Sequence, residues 1–281
     1  MKSKLMRTTV ILLFAAGLLI FNYPVLSSLY NQIQQNKLMD AYDTKVGTMS
    51  EADKKKYLKE AAIYNKKLAE QRVQLSDAFS EEGEKKDARY DKVLAIDKSG
   101  VLGSIEIPRI SLYLPIYHGT SSEVLERGIG HLEGTSFPVG GENTHAVLTG
   151  HRGLPSAELF SNLDQIKKQD IFYIHILGET LAYKVFSVET VEPSQTDHLV
   201  VEKGQDLVTL VTCTPYGVNT HRLLIHGYRI PYKEPAKKNT VKENLWKWIW
   251  KQKTFLVSIL IVLLAVLFEM AQLVKKRRKK A

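Results

Sequence analysis

Two apolar runs, one near each end and each beside a basic tail, constrain this chain more than any other feature. The run FLVSILIVLLAVLFEMAQLV (255–274) has 20 residues, about what a helix needs to span a bilayer. Its one ionisable side chain, Glu269, lies near the end that meets KKRRKK (275–280), where charge costs less than at the midplane. Trp246, Trp248 and Trp250, interleaved with Lys247 and Lys251, precede it like an interfacial belt. At the front, Lys2, Lys4 and Arg7 lead into TTVILLFAAGLLIF (8–21), the pattern of a secretory signal or signal-anchor. No convincing small-x-small cleavage site follows, which favours an uncleaved anchor.

These tails also account for the charge. The chain carries 39 Lys and Arg against 30 Asp and Glu, a net charge of +9. The two tails hold nine basic and no acidic residues, so taking nine from 39 leaves 30 basic side chains to balance 30 acidic ones in residues 8–274. A neutral body gives no reason to expect nucleic-acid binding. Basic flanks stay in the cytoplasm, so two spans place residues 31–254 outside the cell. The expected location is therefore the cell membrane, with a multi-pass chain and an extracellular domain.

Outside the cell, the cysteine count becomes informative. The chain has one cysteine, Cys213, so it forms no internal disulfide, and an idle thiol in an oxidising compartment is a liability. A lone cysteine is more often a small buried hydrophobe than a nucleophile. Here DLVTLVTC (206–213) is apolar on both faces, a buried central strand that Pro215 and Gly217 stop at once. A thiol at the end of a rigid strand, opening onto a loop, is positioned and still accessible.

The rest of the extracellular part divides by composition. Residues 31–75 are rich in Lys, Glu, Gln and Ala; Ser50-Glu-Ala-Asp53 resembles a capping box, followed by a helical stripe of Tyr57, Ala61, Tyr64 and Leu68. A polar loop then holds the aromatic Phe79. From Val101 the pattern turns to short strands punctuated by Gly and Pro, at 104–117, 145–149, 171–177, 181–191, 206–213 and 221–230, with short helices expected at 122–127 and 156–163. Many short strands and few helices imply a closed β-barrel or sandwich.

A catalytic thiol needs a basic or cationic neighbour. Of eight histidines, the seven other than His151 mostly sit in or beside strands, where a hydrogen-bonded structural role suffices. His151, in LTGHRGLP directly after a strand and between Gly150 and Gly153, is the candidate general base. Arg222 opens the strand after the loop that leaves Cys213, so the two strand ends come together. Its guanidinium suits an oxyanion or carbonyl, although a surface salt bridge is the commoner fate of an arginine. No spacing resembles a metal site, and no cofactor is expected.

Together Thr209-Leu-Val-Thr-Cys213, the earlier TGHRG and the arginine nine residues after the cysteine resemble the sortases, membrane-anchored cysteine transpeptidases of Gram-positive bacteria. Papain-like proteases run Cys before His and lack this pattern. The resemblance covers roughly 100–232 and implies a mostly β fold: a closed sortase-type barrel of about eight strands with short helices, an N-terminal helical extension, a lid loop and two flanking transmembrane helices. It implies Cys213 as nucleophile, His151 as general acid/base and Arg222 as transition-state and substrate stabiliser. Similar enzymes cut a Leu-Pro-x-Thr-Gly-like sorting signal through a thioacyl intermediate that an amine resolves.

The second span, the helical extension and HRGLPSAELFSNLD resemble class C, the pilin-polymerising sortases, whose partners are pilin subunits with C-terminal sorting signals. Class C enzymes carry a lid with an Asp-Pro-aromatic motif; Asp77-Ala78-Phe79 sits in the matching loop but has Ala78 where proline is expected. Asp77 and Phe79 are the expected lid contacts. Other readings are a sortase that anchors surface proteins to peptidoglycan and a non-enzymatic surface assembly scaffold. The expected division is 1–30 tail and anchor, 31–97 extension with a lid at about 75–90, 98–235 catalytic barrel, 236–254 linker, 255–274 second span and 275–281 tail. A monomer is the expected state.

Overall fold

The computed structural model describes residues 2–71, 75–80, 89–233, 257, 260 and 261. They fall into two compact units, residues 1–29 with 237–281, and residues 30–236. The first holds the start of helix α1 (Lys2–Thr48), which carries Pro24 within it. Where the sequence suggested an anchor ending near residue 30, the helix continues unbroken to Thr48. Among the described residues no helix is long and apolar enough to cross a membrane. The expected C-terminal span and basic tail, and the linker 236–254, lie outside the described residues apart from 257, 260 and 261.

The second unit is built on eight strands: β1 (Val101–Ile107), β2 (Leu112–His118), β3 (Ile129–His131), β4 (Thr144–Thr149), β5 (Ile171–Ile176), β6 (Glu179–Val191), β7 (Asp206–Thr214) and β8 (His221–Ile230). They close into a barrel in the order β1-β2-β3-β4-β7-β8-β6-β5. Two neighbouring pairs, β2 with β3 and β4 with β7, are parallel; the others are antiparallel. Closure leaves no bare edge.

Sequence alternation explains which residues fill the barrel. On β7, Val208 and Leu210 join the main core with Leu148 of β4 and Leu223 and Ile225 of β8. Val211 and its row neighbour Leu224 belong instead to a second apolar cluster with Val147, Leu132, Val191, Leu199 and Ala78. Because successive side chains of a strand alternate in direction, Cys213 shares the face of Val211. The nucleophile candidate thus lies on the face that the second cluster covers.

Three details differ from the sequence reading. The run 104–117 is two strands, because a 3-10 turn at Pro108–Ile110 and left-handed Ser111 (φ 55°) reverse the chain between them. The helix expected over 156–163 does not form: Leu159 takes φ 37° and the backbone N–H of Phe160 donates to the His151 carbonyl. Ala157, Leu159, Phe160 and Leu163 are buried as an irregular plug, so tertiary packing overrode local helical preference. Strand β3 is three residues long, too short to carry a periodic signal.

Helix α2 (Glu51–Ala69) starts where Ser50 Oγ accepts from the Asp53 N–H. Its stripe packs on the barrel: Ala61 and Leu68 are buried, and Tyr57 and Tyr64 lie against the main core. Asn65, also buried, donates to the Phe137 carbonyl and accepts from the Phe137 N–H. On α1, the Tyr42 hydroxyl donates to the Leu102 carbonyl and accepts from Leu177 N–H. Such paired buried polar groups fix the register of helix on barrel, since leaving one unpaired costs about 1–3 kcal/mol. Helix α3 (Ser122–Arg127) is capped by Ser121.

Candidate active site

Each candidate side chain is set by the sheet. Cys213 is opposite Arg222 in the β7–β8 ladder, so the loop 215–220 returns the guanidinium beside the thiol. His151 lies two residues beyond the end of the neighbouring strand, for β4 runs parallel to β7 with Thr149 beside Val211. The turn after β4 is tied to β7 twice: Gly150 N–H donates to the Val211 carbonyl, and Thr212 Oγ1 donates to the Gly150 carbonyl at 2.7 Å. Position 150 has to be glycine, because a Cβ would lie 2.7 Å from Ile129 and 2.8 Å from the Phe160 ring.

Residues 75–80 close over this row. Asp77 takes both ends of the guanidinium fork, with Arg222 Nε donating to Oδ1 at 2.8 Å and Nη2 to Oδ2 at 2.6 Å. Both side chains are mostly buried, 11% and 17% exposed, and Arg222 Nη1 also donates to the carbonyls of Asn219 and His221. The Phe79 ring lies 5.0 Å from Arg222 Cζ and 5.5 Å from the His151 ring. Ala78, between them, is buried in the second cluster, and Ser80 N–H closes the turn onto the Asp77 carbonyl. Thr196 Oγ1 donates to the Leu75 carbonyl and pins the root of the segment. The remainder of the loop expected at about 75–90 lies mainly outside the described residues.

The structure therefore brings all five sequence-selected residues, His151, Cys213, Arg222, Asp77 and Phe79, into one place. Cys213 is 8% exposed. Burial pushes its thiol above the ordinary value; Arg222 pulls it back and Asp77 pushes it further up. Burial lowers His151, partly offset by Glu126. At neutral pH with the segment closed, both groups are thus uncharged. Burial opposes the Arg222 charge most strongly of any single influence, but the Asp77 hydrogen bonds together with the nearby Cys213 and Asp77 charges outweigh it. A neutral thiol beside a neutral imidazole and a fixed cation can attack a carbonyl if the imidazole takes the proton as the sulfur bonds.

Other residues near the site had no separate sequence signal. Thr212, Arg152, Thr214 and Tyr216 join the turn after β4 to the end of β7. Further along the same face, Thr209 Oγ1 bridges His145 Nε2 and His226 Nδ1, and Glu189 accepts from His226 and pairs with His198. A groove of about 500 Å³ lies at the lid root, bordered by Leu75, His145 and Val200. No group of metal-ligating side chains occurs among the described residues.

Comparison with known proteins adds a family to this geometry. Residues 105–230 match the sortase domain. The sortase C of Streptococcus pneumoniae is 43% identical, with 71% of this chain and 99% of that one covered and a TM-score of 0.65. Sortase C1 of GBS pilus island 1 is 42% identical, covering 73% and 96%, with a TM-score of 0.67. The chain belongs to the sortase family. Sortase D of Bacillus subtilis is 29% identical over 46% of this chain. This sortase spans less than two thirds of the length of the curated relatives it matches, 63% in that case. Its likeness to the two sortase C structures extends beyond the domain match, over nearly their whole length.

Proposed function

We propose that the chain is a class C cysteine transpeptidase that polymerises pilin. In this reading Cys213 Sγ attacks the threonyl carbonyl of a Leu-Pro-x-Thr-Gly-like signal while His151 takes the thiol proton. Arg222 holds the developing oxyanion. Collapse breaks the Thr–Gly bond, His151 returns the proton to the leaving glycine amine, and a thioester remains on Cys213. A pilin lysine amine then attacks the thioester, forming an isopeptide bond and regenerating the thiol. The thioester conserves acyl reactivity until the amine arrives, with water as the competitor to exclude.

The observation that carries this reading is the closed segment: Asp77 occupies both ends of the Arg222 fork and Phe79 lies over Arg222 and His151. A segment that covers nucleophile, base and cation fits an enzyme that must exclude water between substrates. The pneumococcal relative is described in connection with pilin substrate specificity, and the GBS relative with a pilus island. The domain division, the two membrane spans and the extracellular orientation belong to the same proposal, and rest on the apolar runs and basic tails of the sequence. Intact mass spectrometry of the full-length protein mixed with sorting-signal peptides tests the chemistry. A single acyl adduct, absent in Cys213→Ala, is expected; failure to acylate even with the Asp77 latch removed would sink the reading. Incubation with pilin should then give a covalent ladder, and free acyl-enzyme without a ladder would count against polymerisation.

A further inference from the structure

Arg152 directly follows His151, and the chemistry above gives it no task. Its side chain is only 8% exposed, an uncommon state for an arginine without a role. The guanidinium forks between two elements: Nη2 donates to Asp164 Oδ2 at 2.6 Å and Nη1 to Thr214 Oγ1 at 3.1 Å. Thr214 is the residue after Cys213. Tyr216 covers the fork from the same loop, its ring 5.8 Å from Cζ. The ring also packs on Gly153, where φ is +84° and a Cβ would come within 3.1 Å of it.

The register shows what this fork does. The parallel β4–β7 pairing ends with Thr149 beside Val211. Continued by one residue, the same register is held by the Thr212 hydroxyl on the Gly150 carbonyl. Two residues further, it is held by Arg152 on Thr214. The pair between these two ties is His151 and Cys213. One strut lies before the reacting pair and one after it.

We propose that Arg152 is a positioning residue that holds His151 in register with Cys213, by clamping the turn after β4 to Thr214 on one side and Asp164 on the other. The inference rests on the proposed role of His151 and Cys213. An arginine is required because one planar fork reaches two partners in fixed geometry, whereas a lysine is a point charge on a flexible stem. A catalytic pair displaced by about 1 Å can lose on the order of a hundredfold in rate.

The test uses the full-length protein and a sorting-signal peptide, reading acyl-adduct formation on Cys213. Arg152→Gln and Arg152→Lys are both expected to lose about 10- to 100-fold in kcat with KM nearly unchanged. Thr214→Ser should keep the rate and Thr214→Val should lose part of it. Near-normal kcat in both Arg152 variants overturns the proposal. If those variants fail to fold, normal kcat in both Thr214→Val and Asp164→Asn overturns it instead. A readout independent of turnover is NMR titration of the His151 ring, which should move back toward the ordinary histidine value in Arg152→Gln, or in Thr214→Val if the former does not fold. An unmoved ring refutes the clamp. Absence of any acyl adduct even with the Asp77 latch removed would refute the proposed function, while the ring titration would still decide the role of Arg152.

Discussion

Replacing Asp77 by alanine should release the segment over Cys213, and the size of the effect follows from its contacts. The substitution removes two charge-assisted hydrogen bonds, at 2.8 and 2.6 Å, between side chains that are mostly buried. Arg222 keeps its bonds to the carbonyls of Asn219 and His221 and regains water when the segment lifts, so the full cost of stranding a buried charge does not apply. The closed state should lose about 2–4 kcal/mol. At roughly 1.4 kcal/mol per tenfold, the closed-to-open ratio then falls by about 30- to 900-fold. Thiol access scales with the open fraction until the segment is fully open, which caps the gain. The thiol also shifts in the helpful direction, because Asp77 is one of the groups pushing its pKa up. Alkylation by iodoacetamide, followed by intact mass, reads Cys213 alone because the chain has one cysteine. A rate within about twofold of the unaltered protein would refute an ion-pair latch.

Three other outcomes are expected. Ala78→Pro, at the second position of the turn that Ser80 closes on Asp77, should stiffen the closed segment by about 0.4–1 kcal/mol and slow alkylation about two- to fivefold; faster labelling would show that Pro does not fit this buried site. Stability should fall on acidification, since burial lowers His131 to about 3 and His145 to about 4. Histidines depressed in the fold take up protons first in the unfolded chain, so stability is full above about pH 6.5 and is lost as pH falls towards the folded values, by roughly 1.4 kcal/mol per unit for each. An unchanged urea midpoint between about pH 7 and 5 would contradict it. Gly103→Ala should destabilise the β1–β5 contact by about 1–3 kcal/mol, because its Cβ would lie 2.3 Å from the His175 carbonyl oxygen; an unshifted melting temperature would show that the strands separate freely.

The sequence by itself determined much of this protein. Its one cysteine ends a strand apolar on both faces, and the loop to Arg222 is short enough that antiparallel pairing must bring the two together. The helix cap at Ser50 and the stripe below it are also local, carried by hydrogen bonds and spacing within a few residues. Only the tertiary structure decided how His151 reaches the thiol. That meeting depends on a parallel β4–β7 pairing between segments about 60 residues apart, as Gly150 and Thr212 are. The plug at 157–163 was illegible for the same reason: its buried side chains answer to the barrel and the His151 turn, against their own helical preference. So was the fork of Arg152, since a buried arginine and a surface one share one letter and differ only in what the fold places at the ends of the guanidinium. Local pattern sets which strands form and where a thiol sits on them; long-range register sets which base, cation and carboxylate surround it.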